Sequence, residues 1–213
     1  MDHFESGMKG IGGCGLVISC LCCLSVLAGF VTLTAYLGIY ALNNPDAEAW
    51  YGTVSGVQTL FPTAEAGASA GSFDLDNVHG NFHIWFLWGF INLASTLGLG
   101  LCTGLSAIIP PIAACAMCLL SCTQLSGSAW WIAGMVWRLR TSGSFASGDV
   151  VPAGMDEAAW EAKITEEGSL FQYSSGNFMW VYYMICWISM GVCCGCGILA
   201  SLCACICGAK HHY

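Results

Sequence analysis

The amino-acid sequence predicts an all-α membrane protein: a four-transmembrane-helix bundle with two long extracytoplasmic loops and a short helix in the second loop. Two features of its composition support this fold class, since only 8% of the 213 residues are charged and 56% are hydrophobic. Soluble domains carry roughly a quarter charged residues, and the mean hydropathy here is +0.68. The third observation is that the apolar residues are gathered in four long runs. We expect one membrane domain over residues 1–213.

The four apolar runs define the expected transmembrane spans, at approximately residues 11–42, 82–109, 112–137 and 178–208. Each run exceeds the roughly 20 residues that a helix needs to cross a hydrocarbon core. Pro110 and Pro111 separate the second span from the third, because proline cannot donate the backbone hydrogen bond of a continuing helix. An even number of spans places both termini on the same side of the membrane as this tight turn.

The other connections are two polar loops, residues 43–81 and 138–177. The first loop shows no strong periodicity. In the second loop, Asp156 to Glu167 predicts a short helix, because acids occupy the first turn and Gly168 can end it. Acidic residues outnumber basic ones in both loops: Asp46, Glu48, Glu65, Asp74, Asp76, Asp149, Asp156, Glu157, Glu161, Glu166 and Glu167.

Two arginines end the third span on the same side as these acids. We expect Arg138 and Arg140 to form ion pairs with Asp74 and Asp76, because the planar guanidinium suits a carboxylate and such pairs would tie a loop to the bundle. The remaining acids predict a solvated acidic face. Bridging of a divalent cation by Asp74, Asp76 and Asn77 is the alternative, although the ligand spacing of a calcium loop is missing.

The orientation of the chain rests on its 15 cysteines, because the positive charges divide almost evenly between the two sides. The two long loops contain no cysteine, whereas many cysteines lie close to the termini or the tight turn. Free thiols in such numbers suit the reducing cytosol. We therefore expect a multi-pass integral membrane protein whose N and C termini are cytosolic.

The chemistry of the cysteines admits three interpretations: small apolar packing residues, acylated juxtamembrane thiols, or ligands of a soft metal together with His211 and His212. A closed metal site is disfavoured, because a C-x-C-x-C spacing on a helix points the thiols in divergent directions. We predict no metal or cofactor. The acylation candidates are Cys14, Cys203, Cys205 and Cys207.

The interiors of the four spans contain no Asp, Glu, Lys, Arg or His. Ion-coupled transport usually requires such groups near the middle of the membrane, so active transport is disfavoured. Two amides remain, Asn92 in the second span and Gln124 in the third, at similar depth if the helices run antiparallel. We predict a hydrogen bond between them that supports helix pairing. A polar pore lining is the alternative.

Small residues and aromatic residues mark the expected contact surfaces of the helices. Small pairs four residues apart let helix backbones approach closely, within one chain or between chains: Ser25 with Gly29, Gly100 with Gly104, and Gly191 with Gly195. Seven tryptophans predict an aromatic belt at the loop-side interface: Trp85, Trp88, Trp130, Trp131, Trp137, Trp180 and Trp187. Because large aromatics anchor protein interfaces, we expect some of them to face a neighbouring subunit.

The sequence disfavours an enzyme, because it shows no catalytic triad, phosphate-binding glycine loop or H-E-x-x-H motif. A net charge of −8 excludes nucleic acid as an expected partner. We expect a homo-oligomeric scaffold that associates laterally and organises or shapes a membrane. The alternatives are an oligomeric pore and an accessory subunit of a larger complex. The expected partners are membrane lipids, further copies of the chain and other membrane subunits.

The stretch from Trp131 to Arg138, Trp-Ile-Ala-Gly-Met-Val-Trp-Arg, is followed by Ser147-Gly148-Asp149. This resembles small uncharacterised four-span proteins of protists, in which a Trp-x-x-Gly-x-x-Trp-Arg stretch leads to Cys-Ser-Gly-Asp. Here Ala146 stands where that pattern has cysteine. The resemblance implies a four-span architecture and no particular activity. The pattern is not that of claudins or tetraspanins, since the loops lack their cysteine motifs.

Overall fold

The computed structural model of the chain describes residues 24–43, 48–105, 110–168 and 170–209. Its contacts divide the chain into two compact units. We call residues 1–44 and 83–132 the helical unit, and residues 45–82 and 133–213 the mixed unit. In chain order the elements are α1 (Leu24–Leu42), β1 (Trp50–Val54), β2 (Val57–Phe61), α2 (Ala64–Ser69), β3 (Asp76–Asn77), α3 (Val78–Leu105), α4 (Pro110–Leu139), α5 (Thr141–Ala146), α6 (Glu157–Glu166) and α7 (Tyr173–Ala209).

Three helices of the described chain hold segments long and apolar enough to cross a membrane: Leu24–Leu42 in α1, Val78–Thr103 in α3 and Tyr173–Ile198 in α7. These segments indicate an integral membrane protein. Helix α4 has 30 residues and is not among these three. A fourth span in α4 therefore stays a prediction.

Helices α3, α4 and α7 begin earlier than their apolar runs do. Helix α3 starts at Val78 rather than Phe82, since the Asn77 side-chain oxygen accepts a hydrogen bond from the Gly80 amide at 2.7 Å and caps the helix. Helix α7 starts at Tyr173, five residues before the expected span. Helix α4 begins at Pro110, where proline fits because the first turn needs no intrahelical donor.

The expectation of an all-α fold is wrong in one respect, because the first loop forms a three-stranded antiparallel sheet in the order β2-β1-β3. Strand β1 pairs with β2 from Trp50 opposite Phe61 to Val54 opposite Val57. Ser55 and Gly56 connect them with φ values of 52° and 82°. Two such residues make the turn that favours a tight hairpin, and Gly56 there is the sequence signal that could have revealed it.

The second loop holds two short helices, α5 and α6. Helix α6 occupies the segment in which the sequence predicts a helix, and the Asp156 side chain caps it by accepting a hydrogen bond from the Ala159 amide at 2.7 Å. Helix α5 was not predicted. The mixed unit has an aromatic core in which Phe145 packs against Tyr51, Trp160 and Phe171, at ring-centroid distances of 5.8, 5.3 and 6.0 Å respectively. This core fastens the sheet to both short helices.

Candidate functional site

Two of the expected belt tryptophans pack against each other inside the helical unit. The rings of Trp85 and Trp130 are stacked at 4.9 Å, and the Trp130 indole donates a hydrogen bond to the Trp85 carbonyl at 2.7 Å. Both residues are buried. A Cβ on Gly89 would lie 2.6 Å from the Trp130 ring, so glycine is needed for this approach. Trp85 and Trp130 therefore join α3 to α4 and are not free to anchor a neighbouring subunit.

The other belt tryptophans are more accessible. The Trp88 indole donates to the Ser126 hydroxyl at 2.9 Å, and Trp88, Trp131, Trp137 and Trp187 are half-buried. Trp180 is exposed and lies edge-on to Trp187, with ring centroids 6.0 Å apart. The expected belt thus separates into a buried pair and a more accessible set, and only the accessible set can contact lipid or protein.

Arg138 is the most deeply buried charged residue described, with 2% of its surface exposed. Its Nη1 lies 2.6 Å from the Asp149 carboxylate, and its Nε donates to the Gly176 carbonyl at 2.8 Å. The guanidinium also lies 5.7 Å from the centre of the Trp180 ring, within the range of a cation–π contact. The expected pair of Arg138 with Asp74 or Asp76 is therefore wrong, because Asp149 occupies that role.

The neighbourhood of Arg138 brings together both halves of the stretch that resembles the protist proteins. Ser147 is buried, and its hydroxyl donates to the Gly143 carbonyl at 2.8 Å. Ser147 packs so closely on Gly176 that a Cβ there would lie 2.6 Å from the Ser147 Cβ. The Gly148 carbonyl accepts a hydrogen bond from the Trp160 indole at 3.1 Å. The Trp-Arg and Ser-Gly-Asp elements thus form one structural cluster, which ties together α4, α6 and α7.

Asp76 is the centre of a second polar cluster in the mixed unit. Its carboxylate accepts hydrogen bonds from Arg140, at 2.8 Å, and from the Ser142 hydroxyl. The Asn81 amide donates to its other oxygen at 3.1 Å. The expected ion pair between Arg140 and Asp76 is present, and it connects the strand β3 to the end of α4. Both side chains retain some exposure, 41% for Arg140 and 22% for Asp76.

Asp74 differs from the expectation, since its carboxylate binds residues of the hairpin and not an arginine. Its carboxylate accepts hydrogen bonds from the Thr53 amide and hydroxyl, both at 2.7 Å, and from the Ser72 hydroxyl at 2.9 Å. The hydrogen bond from the Thr53 side chain, followed by those from the Thr53 amide and Ser72, lowers the pKa of Asp74 below its ordinary value of 3.8. Asp74 and Asp76 therefore have separate structural roles.

The expected hydrogen bond between Asn92 and Gln124 is absent from the described side chains. Asn92 is buried, with 9% exposure, whereas Gln124 is exposed. The Asn92 amide lies instead against Gly127, where a Cβ would approach its Nδ2 to 2.8 Å. Gln124 lies three residues before Gly127, which places the two side-chain positions about 60° apart around the helix axis. The two amides share a depth, but the rotation of α4 turns Gln124 away.

Four glycines of the predicted small-residue pairs are open in the part of the chain that the structure describes. A Cβ on Gly29, Gly100, Gly191 or Gly195 would meet no other heavy atom within 4 Å. Ser25 lies on α1, and the side-chain position of Gly104 lies outside the described residues. The glycines that do allow close helix contact are Gly38 against Phe90, Gly89 against Trp130, and Gly127 against Asn92. Spacing alone could not distinguish these two groups.

A cavity of about 650 Å³ lies between α3 and α4 in the helical unit. Trp88, Asn92 and Ser126 line one part of it, and Gly98, Leu99 and Leu119 line another. None of the lining residues is an acid or a base. The cavity is therefore suited to an apolar occupant that has few hydrogen-bonding groups.

The cysteines whose side chains are described are free thiols, and seven of these eight are exposed. Cys14 lies outside the described residues, and Cys203, Cys205 and Cys207 belong to α7 but their side chains are not described. Acylation of these four residues thus stays a prediction. Within the described ranges, no group of three or more His, Cys, Asp or Glu residues is placed to hold a metal ion.

Comparison with known proteins adds no relative to these observations. No protein-family model matches the chain, and no curated protein or solved structure matches it.

Proposed function

We propose that this chain is a non-enzymatic four-span membrane protein that associates laterally with copies of itself and so organises or shapes the membrane. In this proposal α4 supplies the fourth span, both termini are cytosolic, and the mixed unit's sheet and short helices lie outside. The observation that carries the proposal is one face of α7, formed by Trp180, Trp187, Gly191 and Gly195. We call it the α7 face.

The residues of the α7 face recur at intervals of seven, four and four, which keeps them on one side of a helix. Neither glycine of this face has another heavy atom within 4 Å of its Cβ position. Only 6% of the most apolar part of the candidate span Tyr173–Ile198 is buried. The face is therefore open along a helix that has the length and composition of a membrane span.

A second copy of the chain fits this face better than lipid alone does. Lipid tails are as apolar as leucine, so helices in membranes associate through close packing, and adjacent glycines permit the closest backbone approach. In a two-fold dimer with its axis along the membrane normal, each Gly191 and Gly195 would meet the same residues of the partner. Trp180 and Trp187 would then supply large aromatic anchors on the loop side.

The test is the subunit count of the full-length chain in mild detergent and in nanodiscs, measured by native mass spectrometry. We expect a defined oligomer that Gly191→Leu combined with Gly195→Leu converts to smaller species, because two added side chains separate the backbones. Ser189→Leu is the matched control, since Ser189 is exposed and lies on the opposite side of α7. A monomeric wild-type chain would contradict the proposal, and so would equal effects of both changes. A mass that includes an unrelated chain would favour the accessory-subunit alternative.

An oligomeric pore is the second candidate, and a polar stripe on α4 favours it. Ser121, Gln124 and Ser128 are all exposed and lie on one side of the helix, at intervals of three and four. Both serine hydroxyls bond to carbonyls of the preceding turn, of Met117 and Gln124 respectively. The Gln124 amide is left available for water or for a neighbouring subunit.

The pore candidate is tested by conductance and dye flux in planar bilayers and vesicles. If Gln124 faces a conduit, Gln124→Leu should reduce the flux severalfold, because an apolar constriction removes water. Leu125→Ala is the control, since Leu125 is exposed on α4 but next to the stripe and not part of it. A wild-type chain that carries neither ions nor dye would exclude the pore.

A further inference from the structure

The cavity between α3 and α4 is polar at one end and apolar at the other. At the first end, the Trp88 indole donates a hydrogen bond to Ser126. Asn92, one helical turn after Trp88 on α3, also lines this end. At the second end lie Gly98, Leu99 and Leu119. The part of α3 from Trp88 to Leu99 is about 16 Å long at 1.5 Å per residue. The cavity thus has the polarity of a site for an elongated amphiphile.

Asn92 supplies the observation that points to a ligand. It is more than nine-tenths buried and lines the cavity, yet its side chain makes no hydrogen bond with any residue that the structure describes. A buried amide without a partner is unfavourable. An occupant with a hydroxyl or carbonyl group would satisfy it, and the nearby Ser126 hydroxyl could share the same group.

The charge and the width of the cavity restrict the occupant further. None of the lining residues is an acid or a base, so a neutral head group is favoured over a phosphate or an ammonium. The volume of about 650 Å³ lies within the usual range of small-molecule sites, so a fused-ring body can enter the cavity. Gly98 contributes to the width, since a Cβ there would meet nothing within 4 Å.

We propose that this cavity binds a sterol-class lipid, with the sterol hydroxyl at Asn92 and Ser126 and the ring system along Gly98, Leu99 and Leu119. Trp88 lies at the polar end of the cavity, and tryptophan in a membrane helix marks the interface with water, which is where a sterol hydroxyl lies. The proposal uses the membrane placement of α3 and α4. It does not require that the chain self-associates.

The experiment uses the full-length chain in phosphatidylcholine nanodiscs that contain a photoreactive sterol with a diazirine on its ring system. We expect saturable labelling of peptides from the cavity, and competition by the unlabelled sterol. Asn92→Leu should lower the labelling about tenfold, the order expected for the loss of one buried hydrogen bond. Gly98→Phe should abolish labelling by filling the cavity. Gly100→Phe and Ser128→Ala are matched controls, since Gly100 is equally open and Ser128 is exposed, but neither lines the cavity.

Several outcomes would overturn the sterol site. These are unchanged labelling in both Asn92→Leu and Gly98→Phe, a lack of competition by the unlabelled sterol in the wild-type chain, and equal labelling of the same peptides by a photoreactive phosphatidylcholine. A change of subunit count in Gly98→Phe with labelling intact would show that the cavity is a contact between copies. Because the subunit count is measured on the same nanodiscs, failure of the sterol site is distinguishable from failure of self-association.

Discussion

Arg138 and Asp149 form an ion pair at 2.6 Å in which one partner is buried and the other is half-exposed, with side-chain exposures of 2% and 47%. The buried guanidinium also donates to the Gly176 carbonyl and lies beside the Trp180 ring. A charge that is removed from water needs partners of this kind. The pair thereby joins the end of α4 to the loop before α6 and to the first turn of α7.

Asp149→Asn should destabilise the chain by about 2 kcal/mol. Breaking a buried ion pair costs roughly 3–5 kcal/mol, and the half-exposed position of Asp149 reduces this cost through solvent screening. The measurement is thermal or denaturant unfolding in a fixed detergent, followed by tryptophan fluorescence.

Arg140→Gln is the matched control for that pair, because it removes the more exposed ion pair with Asp76. A loss of roughly 1 kcal/mol or less is expected. If Arg140→Gln lowered the unfolding free energy as much as Asp149→Asn does, the burial of Arg138 would not explain the contribution of its ion pair to stability.

Gly89→Ala should destabilise the helical unit by about 1–3 kcal/mol, the usual cost of overpacking a tight contact. The added Cβ would lie 2.6 Å from the Trp130 ring, so the ring stacked on Trp85 would have to move. Gly100→Ala is the control, since its Cβ meets nothing within 4 Å, and we expect a change within about 0.5 kcal/mol. The measurement is the unfolding midpoint of each variant in the same detergent. Equal losses of stability in Gly89→Ala and Gly100→Ala would contradict the close packing of α3 on α4.

Gly176→Ala should destabilise the mixed unit, and Ser147→Gly should partly restore it. The new Cβ would overlap with the Ser147 side chain, and removal of that side chain opens the space. A double-mutant cycle on unfolding free energies measures the coupling, which should lie at about 1–3 kcal/mol. Strictly additive losses would argue against the contact between the loop and α7.

Asp74 should titrate below its ordinary pKa of 3.8, because Thr53 and Ser72 donate hydrogen bonds to its charged form. Since the folded pKa is lowered, its stabilising effect is complete above the unfolded pKa and is lost as pH falls through the folded pKa. The ¹³C carboxyl resonance of Asp74 measures this pKa directly, and Thr53→Val should raise it. A Thr53→Val chain with an unchanged Asp74 titration would contradict the assigned cause.

The predicted helices follow from features that act within a few residues. The apolar runs and Pro110 locate the four long helices, and Asp156 locates α6, because chain length in hydrocarbon, a missing amide donor and a side-chain cap are local effects. The hairpin was missed although Ser55-Gly56 is a local signal. Its strands are short and lack a clean alternation of apolar and polar residues.

The side-chain partners of Arg138 and Asn92 could not be predicted from such local features. Asp74 and Asp76 were the expected partners of Arg138, and Gln124 was the expected partner of Asn92, yet Asp149 and Gly127 are their neighbours. Such choices depend on the rotation of each helix about its axis. Rotating a helix about its axis by the angle of one residue, about 100°, changes which side chain points inward and leaves every apolar run unchanged.

The sequence by itself determined that this chain belongs in a membrane and where its long helices lie, because those properties depend on composition and on the spacing of residues along one segment. Only the tertiary structure decided which tryptophans are buried, which glycines are open and which cavity holds an unpaired amide. Trp85 and Trp130 differ from Trp180, and Gly89 differs from Gly191, in nothing that the chain displays locally. Burial is a property of the surrounding segments, which are distant in sequence and adjacent only after folding.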